Sequence, residues 1–223
     1  MRTRSQMSLW RIVRNLHTTP SPFALRKRSV TSYIVDLFAR RPQLIRSAVA
    51  TYESCVHDPS YETFYETCRM PDTFQSWFLV CHLHVWMCLV RLKAASPEKD
   101  GRFAYKQLVG VFWSDVQQRM HVMGMTSITD IRRNLQHLAY EFYGLTLAYD
   151  EGLVGPDTML AAGLWRNLFP DKDASDPIAL AKMVNYVRMQ VGHLDSIPDK
   201  QLFSGEKFTW LPFEHNIISS KFD

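Results

Sequence analysis

Apolar residues recur at spacings of three and four along most of this chain, the period of a helix with one buried face. Residues 102–124 predict an amphipathic helix whose stripe is Tyr105, Leu108, Val109, Phe112, Trp113, Val116, Met120 and Met123. Residues 127–149 repeat the pattern more strictly, through Ile128, Ile131, Leu135, Leu138, Phe142, Leu145 and Tyr149. Ser127 followed by Asp130 resembles a capping box at its start, and Gly152 is the expected C-cap. No proline lies between Pro97 and Pro156, so two long helices fit there.

Prolines punctuate the remainder. Gly155-Pro156-Asp157 opens a helix that Pro170 stops, and Asp176-Pro177 opens another with Leu180, Val184, Val187, Val191 and Leu194 as its seam. Shorter helices are predicted over 30–40, 43–56 and 60–69. Beyond Pro198 the pattern becomes irregular, with a short hairpin or a docked arm around Phe203–Phe213. No segment alternates in the manner of a strand. The expected fold is all-α: an irregular multi-helix bundle around a central apolar helix at 72–94.

That central segment, DTFQSWFLVCHLHVWMCLVRL, has no charge between Asp72 and Arg91. A helix apolar on every face is a buried core helix or a membrane span. Phe74–Val90 is 17 residues, the lower limit for spanning, and it holds Gln75, His82 and His84, which are costly in hydrocarbon. The core-helix reading is preferred.

Charge changes the picture only after it is split by position. The formal net charge is +4, but the first acidic residue is Asp36 and seven basic residues precede it. Removing those seven from the 26 basic residues leaves 19 against 22 acidic ones, a net of −3 for the body. The acid-free, Arg-spaced leader, with Leu9, Ile12, Val13 and Leu16 at helical spacing, predicts a mitochondrial transit peptide over residues 1–35, cleaved or disordered. A helical domain over 36–200 and an irregular arm over 201–223 complete the expected organisation. An acidic body gives no support to direct DNA binding. The 28 aromatic residues exclude a disordered chain.

Candidate chemistry is sparse. Cys81, His84 and Cys88 lie at i, i+3 and i+7, so a metal or haem site in a helical bundle is one reading. The other makes Cys55, Cys68, Cys81 and Cys88 reduced core thiols and His84 a hydrogen-bonded core imidazole. Asp115 and Arg119, four apart, are expected to pair. Tyr149-Asp150-Glu151 ends a helix, where acids are unfavourable, so a cation should face them; Arg166 and Arg91 are the candidates. Nucleophile elbows, Walker loops, HExxH and GxGxxG are absent, and an enzyme is not expected.

Several blocks together resemble the ubiquinol–cytochrome c chaperone family, the mitochondrial assembly factors for cytochrome b. They are Asp72-Thr73-Phe74 with Ser76-Trp77-Phe78, then Leu83-His84-Val85-Trp86-Met87-Cys88-Leu89-Val90-Arg91. Phe112-Trp113, Asp115-Val116-Gln117-Gln118-Arg119 and Val122-Met123-Gly124 follow in order. Tyr149-Asp150-Glu151-Gly152, Leu160-Ala161-Ala162, Leu164-Trp165-Arg166 and Tyr186-Val187-Arg188 complete the resemblance, over residues 58–197.

The resemblance implies an all-helical, non-enzymatic factor on the matrix side of the mitochondrial inner membrane, peripherally associated and without a cofactor. It further implies a heterodimer with a small complex III assembly factor, binding to newly synthesised cytochrome b, and residence at the mitochondrial ribosome near the exit tunnel. The residues carried over as partner-binding, client-binding or network positions are Trp77, His84, Trp86, Trp113, Asp115, Arg119, Tyr149, Asp150, Glu151, Trp165 and Arg166.

Overall fold

A computed structural model describes residues 39–171 and 176–213. The proposed leader, most of the helix expected over 30–40, and the end of the arm lie outside the described residues. Eight helices and no strand occur among those that are described. They are α1 (Arg41–His57), α2 (Tyr61–Cys68), α3 (Phe74–Ala94), α4 (Glu98–Val122), α5 (Ile128–Val154), α6 (Asp157–Leu168), α7 (Pro177–Ser196) and α8 (Asp199–Leu202).

α3 is the hub. Every residue from Phe78 to Leu92 is buried, because α1, α2, α4, α6 and α7 all pack on it. α3 is long and apolar enough to cross a membrane, yet 83% of its most apolar window is covered by protein. Thr73 starts it by accepting the Ser76 N–H on its hydroxyl, which satisfies one of the free donors of the first turn. α5 stands further off and meets α3 through rings rather than backbone, with His82 against Phe142 and Trp86 against Tyr149.

The two long amphipathic helices form as their patterns require, and Ser127 caps α5 by accepting the Asp130 N–H. One detail differs from expectation. Gly152 lies inside α5, which continues to Val154 with Gly155 as its cap. Its lack of a side chain serves packing: a Cβ there would lie 2.6 Å from the Leu160 Cα, where α5 and α6 cross. After α8 the chain forms a docked arm and not a hairpin. Phe203 and Phe208 enter the core, Trp210 lies on His84, and Phe213 lies on Phe64 and Tyr186.

Candidate functional site

Three polar clusters tie the bundle together, and they collect most of the side chains singled out above. The first joins α1, α3 and α4. The Asp115 carboxylate accepts from the Tyr52 hydroxyl at 2.7 Å and from Arg119 Nε at 2.9 Å. The Arg119 guanidinium then covers the Trp77 ring, 4.0 Å from its centroid, so one cation serves both a carboxylate and an indole face. Burial, with Cys81 and Asp115 adding to it, pushes the Tyr52 phenol far above its ordinary range, so it remains a donor. Trp113 stands beside this cluster and packs edge-on or tilted against Phe78, Phe112 and Phe142.

The second cluster joins α3 to the end of α5. Trp86 Nε1 donates to Asp150 Oδ1 at 2.8 Å, and Lys93 Nζ pairs with Oδ2 at 3.5 Å. Tyr149 packs its ring on Trp86, while its buried hydroxyl has no hydrogen-bond partner among the described residues. Of the two cations expected here, Arg91 does not come to Asp150. Arg91 turns the other way: its Nε donates to Leu194 O, and Nη2 donates to Ile197 O and to the Asp199 carboxylate at 2.7 Å. The end of α5 is met by Arg188 of α7. Its guanidinium donates to the carbonyls of Gly152, Leu153 and Gly155 and to Asp157 Oδ1. The physical requirement for a cation holds, and Arg188, which was not among the expected cations, is a residue that meets it. Arg188 belongs to the Tyr186-Val187-Arg188 block, the one sequence signal that points to it.

The third cluster surrounds His84. Its Nδ1–H donates to Val80 O at 2.8 Å, which fixes the tautomer and leaves Nε2 to accept from the Tyr186 hydroxyl at 2.7 Å. Phe64 and Trp210 enclose the ring. Burial lowers the imidazole pKa to about 4, so it is neutral at ordinary pH.

Cys81, His84 and Cys88 do not converge. Cys81 Sγ lies near the Tyr52 hydroxyl, Cys88 Sγ lies 3.7 Å from Cys55 Sγ, and both His84 nitrogens are engaged elsewhere. Positions on one helix stripe here meet three different neighbours. Among the described residues no group of three His, Cys, Asp or Glu side chains is placed to hold a metal ion. Burial raises the thiols of Cys68 and Cys81 to about 12 and that of Cys55 well above its ordinary value, which suppresses the reactive thiolate.

On the surface, α6 and the start of α7 enclose a groove of about 350 Å³ lined by Thr158, Ala161, Ala162, Trp165, Asp176, Pro177 and Leu180. Its one carboxylate caps α7 by accepting the Ile178 N–H, so the lining is apolar in effect. Trp165 lies in this groove, Arg166 is exposed in the next position of α6, and Glu151 is exposed on α5. Sequence reasoning missed Tyr52, Tyr186, Arg188, Gln190 and Trp210. Gln190 donates to Leu211 O and accepts Leu211 N–H, gripping the arm as a strand partner would.

These features define an all-helical scaffold whose buried polar groups are occupied in joining helices. The ubiquinol-cytochrome C chaperone family profile matches residues 66–210, and the chain belongs to that family. It is similar to the frog (Xenopus laevis) protein named ubiquinol-cytochrome-c reductase complex assembly factor 1, at 41% identity over 74% of this chain and 81% of that protein. It is similar also to the Saccharomyces cerevisiae protein named Protein CBP3, mitochondrial, at 34% identity over 70% of this chain and 47% of that one. Of the other curated relatives it matches, the chain spans 54% to 63%. The crystal structure of the Cbp3 homolog from Brucella abortus superimposes with a TM-score of 0.67 at 26% identity, covering 81% of this chain and 97% of that one.

Proposed function

We propose that this chain acts in mitochondria as an assembly factor for respiratory complex III, working by binding and not by catalysis. In this reading it sits on the matrix side of the inner membrane, near the ribosomal exit tunnel, and holds newly made cytochrome b. A small partner assembly factor completes it as a heterodimer. The frog and yeast relatives' names support the complex and the compartment. The observation that carries the mode of action is the apolar α6–α7 groove on a scaffold whose buried polar groups are turned inward. A groove of this kind accepts a turn or two of an apolar helix, the form in which a membrane protein's segments leave the ribosome.

The test is pulse-labelling of mitochondrial translation products in cells lacking the protein. Newly made cytochrome b and complex III activity are expected to fall, with the other products little changed. Normal cytochrome b labelling and accumulation would refute the proposal. Ala161→Trp, which fills the groove, is expected to reduce recovery of labelled cytochrome b with the purified chain while leaving its helical content intact.

A further inference from the structure

α4 and α5 form a hairpin whose closed end leaves the bundle. α5 runs alongside α3 in the same direction: Gln75 at the start of α3 bonds Glu141, His82 meets Phe142 and Thr146, and Trp86 meets Asp150. The first half of α5 therefore continues past the N-terminal end of α3. Gly124, with φ at +89°, reverses the chain directly after α4 and keeps the end narrow. Met125 folds back inside the turn, its N–H donating to Met120 O. Every other residue from His121 to Asp130 is exposed. The end is convex and touches no other element on those sides.

Its chemistry is equally distinct. No formally charged residue lies between Arg119 and Asp130. Val122 is 81% exposed, Ile128 74% and Met123 49%. Single apolar residues on a surface are ordinary, but three flanking one short turn make an apolar cap. Beyond the Asp115–Arg119 pair, the formal charges from Met120 to Tyr140 are Arg132 and Arg133 against Asp130, a positive excess in a body of net −3. Asp130 is taken up by Arg133 at 3.5 Å, while Arg132, one turn behind Ile128, makes no ion pair among the described residues.

Shape selects the occupant. A partner helix is held in a concave groove that surrounds its side chains. A convex apolar end has no walls, so its side chains are covered only by a surface that deforms around them. A bilayer does so: apolar side chains enter the boundary between headgroups and acyl chains, and arginines a turn behind reach the phosphates. Methionine, unbranched and flexible, adapts to such fluid surroundings. We infer that the closed end of the α4–α5 hairpin is a membrane-docking tip. It seats Val122, Met123 and Ile128 in the interface of a bilayer bearing anionic phospholipids, with Arg132 and Arg133 at its phosphates. The inference deepens the functional proposal and rests on it for the presence of a membrane, but it uses other elements than the α6–α7 groove.

Site-specific fluorescence on the full chain tests it. Cys55, Cys68, Cys81 and Cys88 are all buried, so a polarity-sensitive thiol label goes to an introduced cysteine. With Val122→Cys, vesicles of mixed phosphatidylcholine and phosphatidylglycerol are expected to shift the emission to the blue. With Gly110→Cys, at an open exposed position of α4 away from the tip, no shift is expected. Adding Met123→Asp and Ile128→Asp, or Arg132→Glu and Arg133→Glu, is expected to weaken the response at residue 122 about tenfold. Circular dichroism confirms that each variant is folded. An unshifted label at residue 122 overturns the inference, including in a chain held at the vesicle by another segment. So do equal shifts at residues 122 and 110, or substituted tips that respond as the unsubstituted one does. Folded tip variants that keep the vesicle response and lose a partner protein assign the tip to that protein and likewise overturn it. Vesicle measurements on the purified chain are independent of cytochrome b labelling in cells, so failure here and failure of the functional proposal are read separately.

Discussion

Truncating Trp86 to alanine probes the joint between the central helix and α5. The side chain is only 1% exposed, lies on Tyr149 and donates to Asp150. A buried tryptophan removes about 200 Å² from water, worth about 5 kcal/mol at about 25 cal/mol per Å². Relaxation around the void returns part of this, and measured truncations of buried aromatics lie at about 3–5 kcal/mol. The lost indole N–H adds little to that figure, because Asp150 keeps Lys93 and its side chain is 20% exposed, so its carboxylate is not stranded. The expected loss is about 4 kcal/mol, a large share of the roughly 5–15 kcal/mol that holds an ordinary domain together. Urea denaturation followed by circular dichroism at the helical band measures it. Trp86→Phe retains most of the ring area and loses the donor, so about 1–2 kcal/mol is expected, which keeps the comparison informative should the alanine variant not fold. A loss below about 2 kcal/mol for Trp86→Ala, with an unchanged denaturant slope, would refute the assignment of Trp86 as a principal core contact.

Arg188→Gln is expected to destabilise by about 2–3 kcal/mol in the same assay, with Arg188→Lys failing to restore it, because three carbonyls and a carboxylate are arranged around a planar fork. Gly152→Ala is expected to lose about 2 kcal/mol or more through its clash with Leu160, while Gly110→Ala, in open space on an exposed helix face, is expected to gain up to about 1 kcal/mol. Stability should also depend on acid. Burial lowers His84 to about 4 and His82 to about 3 in the fold, against about 6.5 in an unfolded chain. Their contribution is therefore complete above about pH 7 and declines as pH falls from about 6.5 toward those lower values, since only the unfolded chain takes up the protons. Denaturation midpoints measured from pH 7.5 to pH 4.5 should fall throughout the acid half of that range. His84→Gln should flatten the slope, and an unchanged slope in that variant would contradict the assignment.

The helices were legible because their apolar residues repeat over three turns or more, and because Pro156, Asp176 and Pro177 mark where they begin. α3 was legible through the opposite property: a run without charge has no solvent-facing side, and in this chain the other helices supply its cover. Side-chain partners were harder to read. Asp115 and Arg119 are four residues apart on one helix, so local geometry alone brings them together. The partners of Asp150, Arg91 and His84 depend on which helix lies alongside, and nothing in a single chain's periodicity ranks Lys93 over Arg91 for Asp150. The arm was ambiguous for a related reason: its contacts run to Gln190, Ser54 and His193 on other elements, and its own residues carry no period. Gly152 was misread as a cap because a glycine near a helix end has two explanations, a special backbone angle or a close crossing. Only the approach of Leu160 decides between them.

The polar residues buried on α3 explain how so apolar a helix is kept inside a bundle and assigned to one arrangement of neighbours. His82 engages Thr146 on α5, His84 engages Tyr186 on α7, Trp86 engages Asp150 on α5, and Arg91 engages the end of α7 together with Asp199 on α8. The anchors define two faces, one toward α5 and one toward α7 and α8, so rotating α3 or exchanging those neighbours would leave several buried donors or acceptors unpaired, at about 1–3 kcal/mol for each neutral group and more for the arginine. Apolar packing alone would discriminate weakly between such arrangements, because leucine and valine surfaces on neighbouring helices are nearly interchangeable. The same four groups oppose insertion into a bilayer. Two imidazoles and a guanidinium would enter hydrocarbon without the phenol, carbonyls and carboxylate that satisfy them here. A helix that meets the length and hydropathy of a span is therefore directed to the protein interior by the few residues that break its apolar surface. A factor proposed to work among membrane segments thereby keeps its own most membrane-like element in its core.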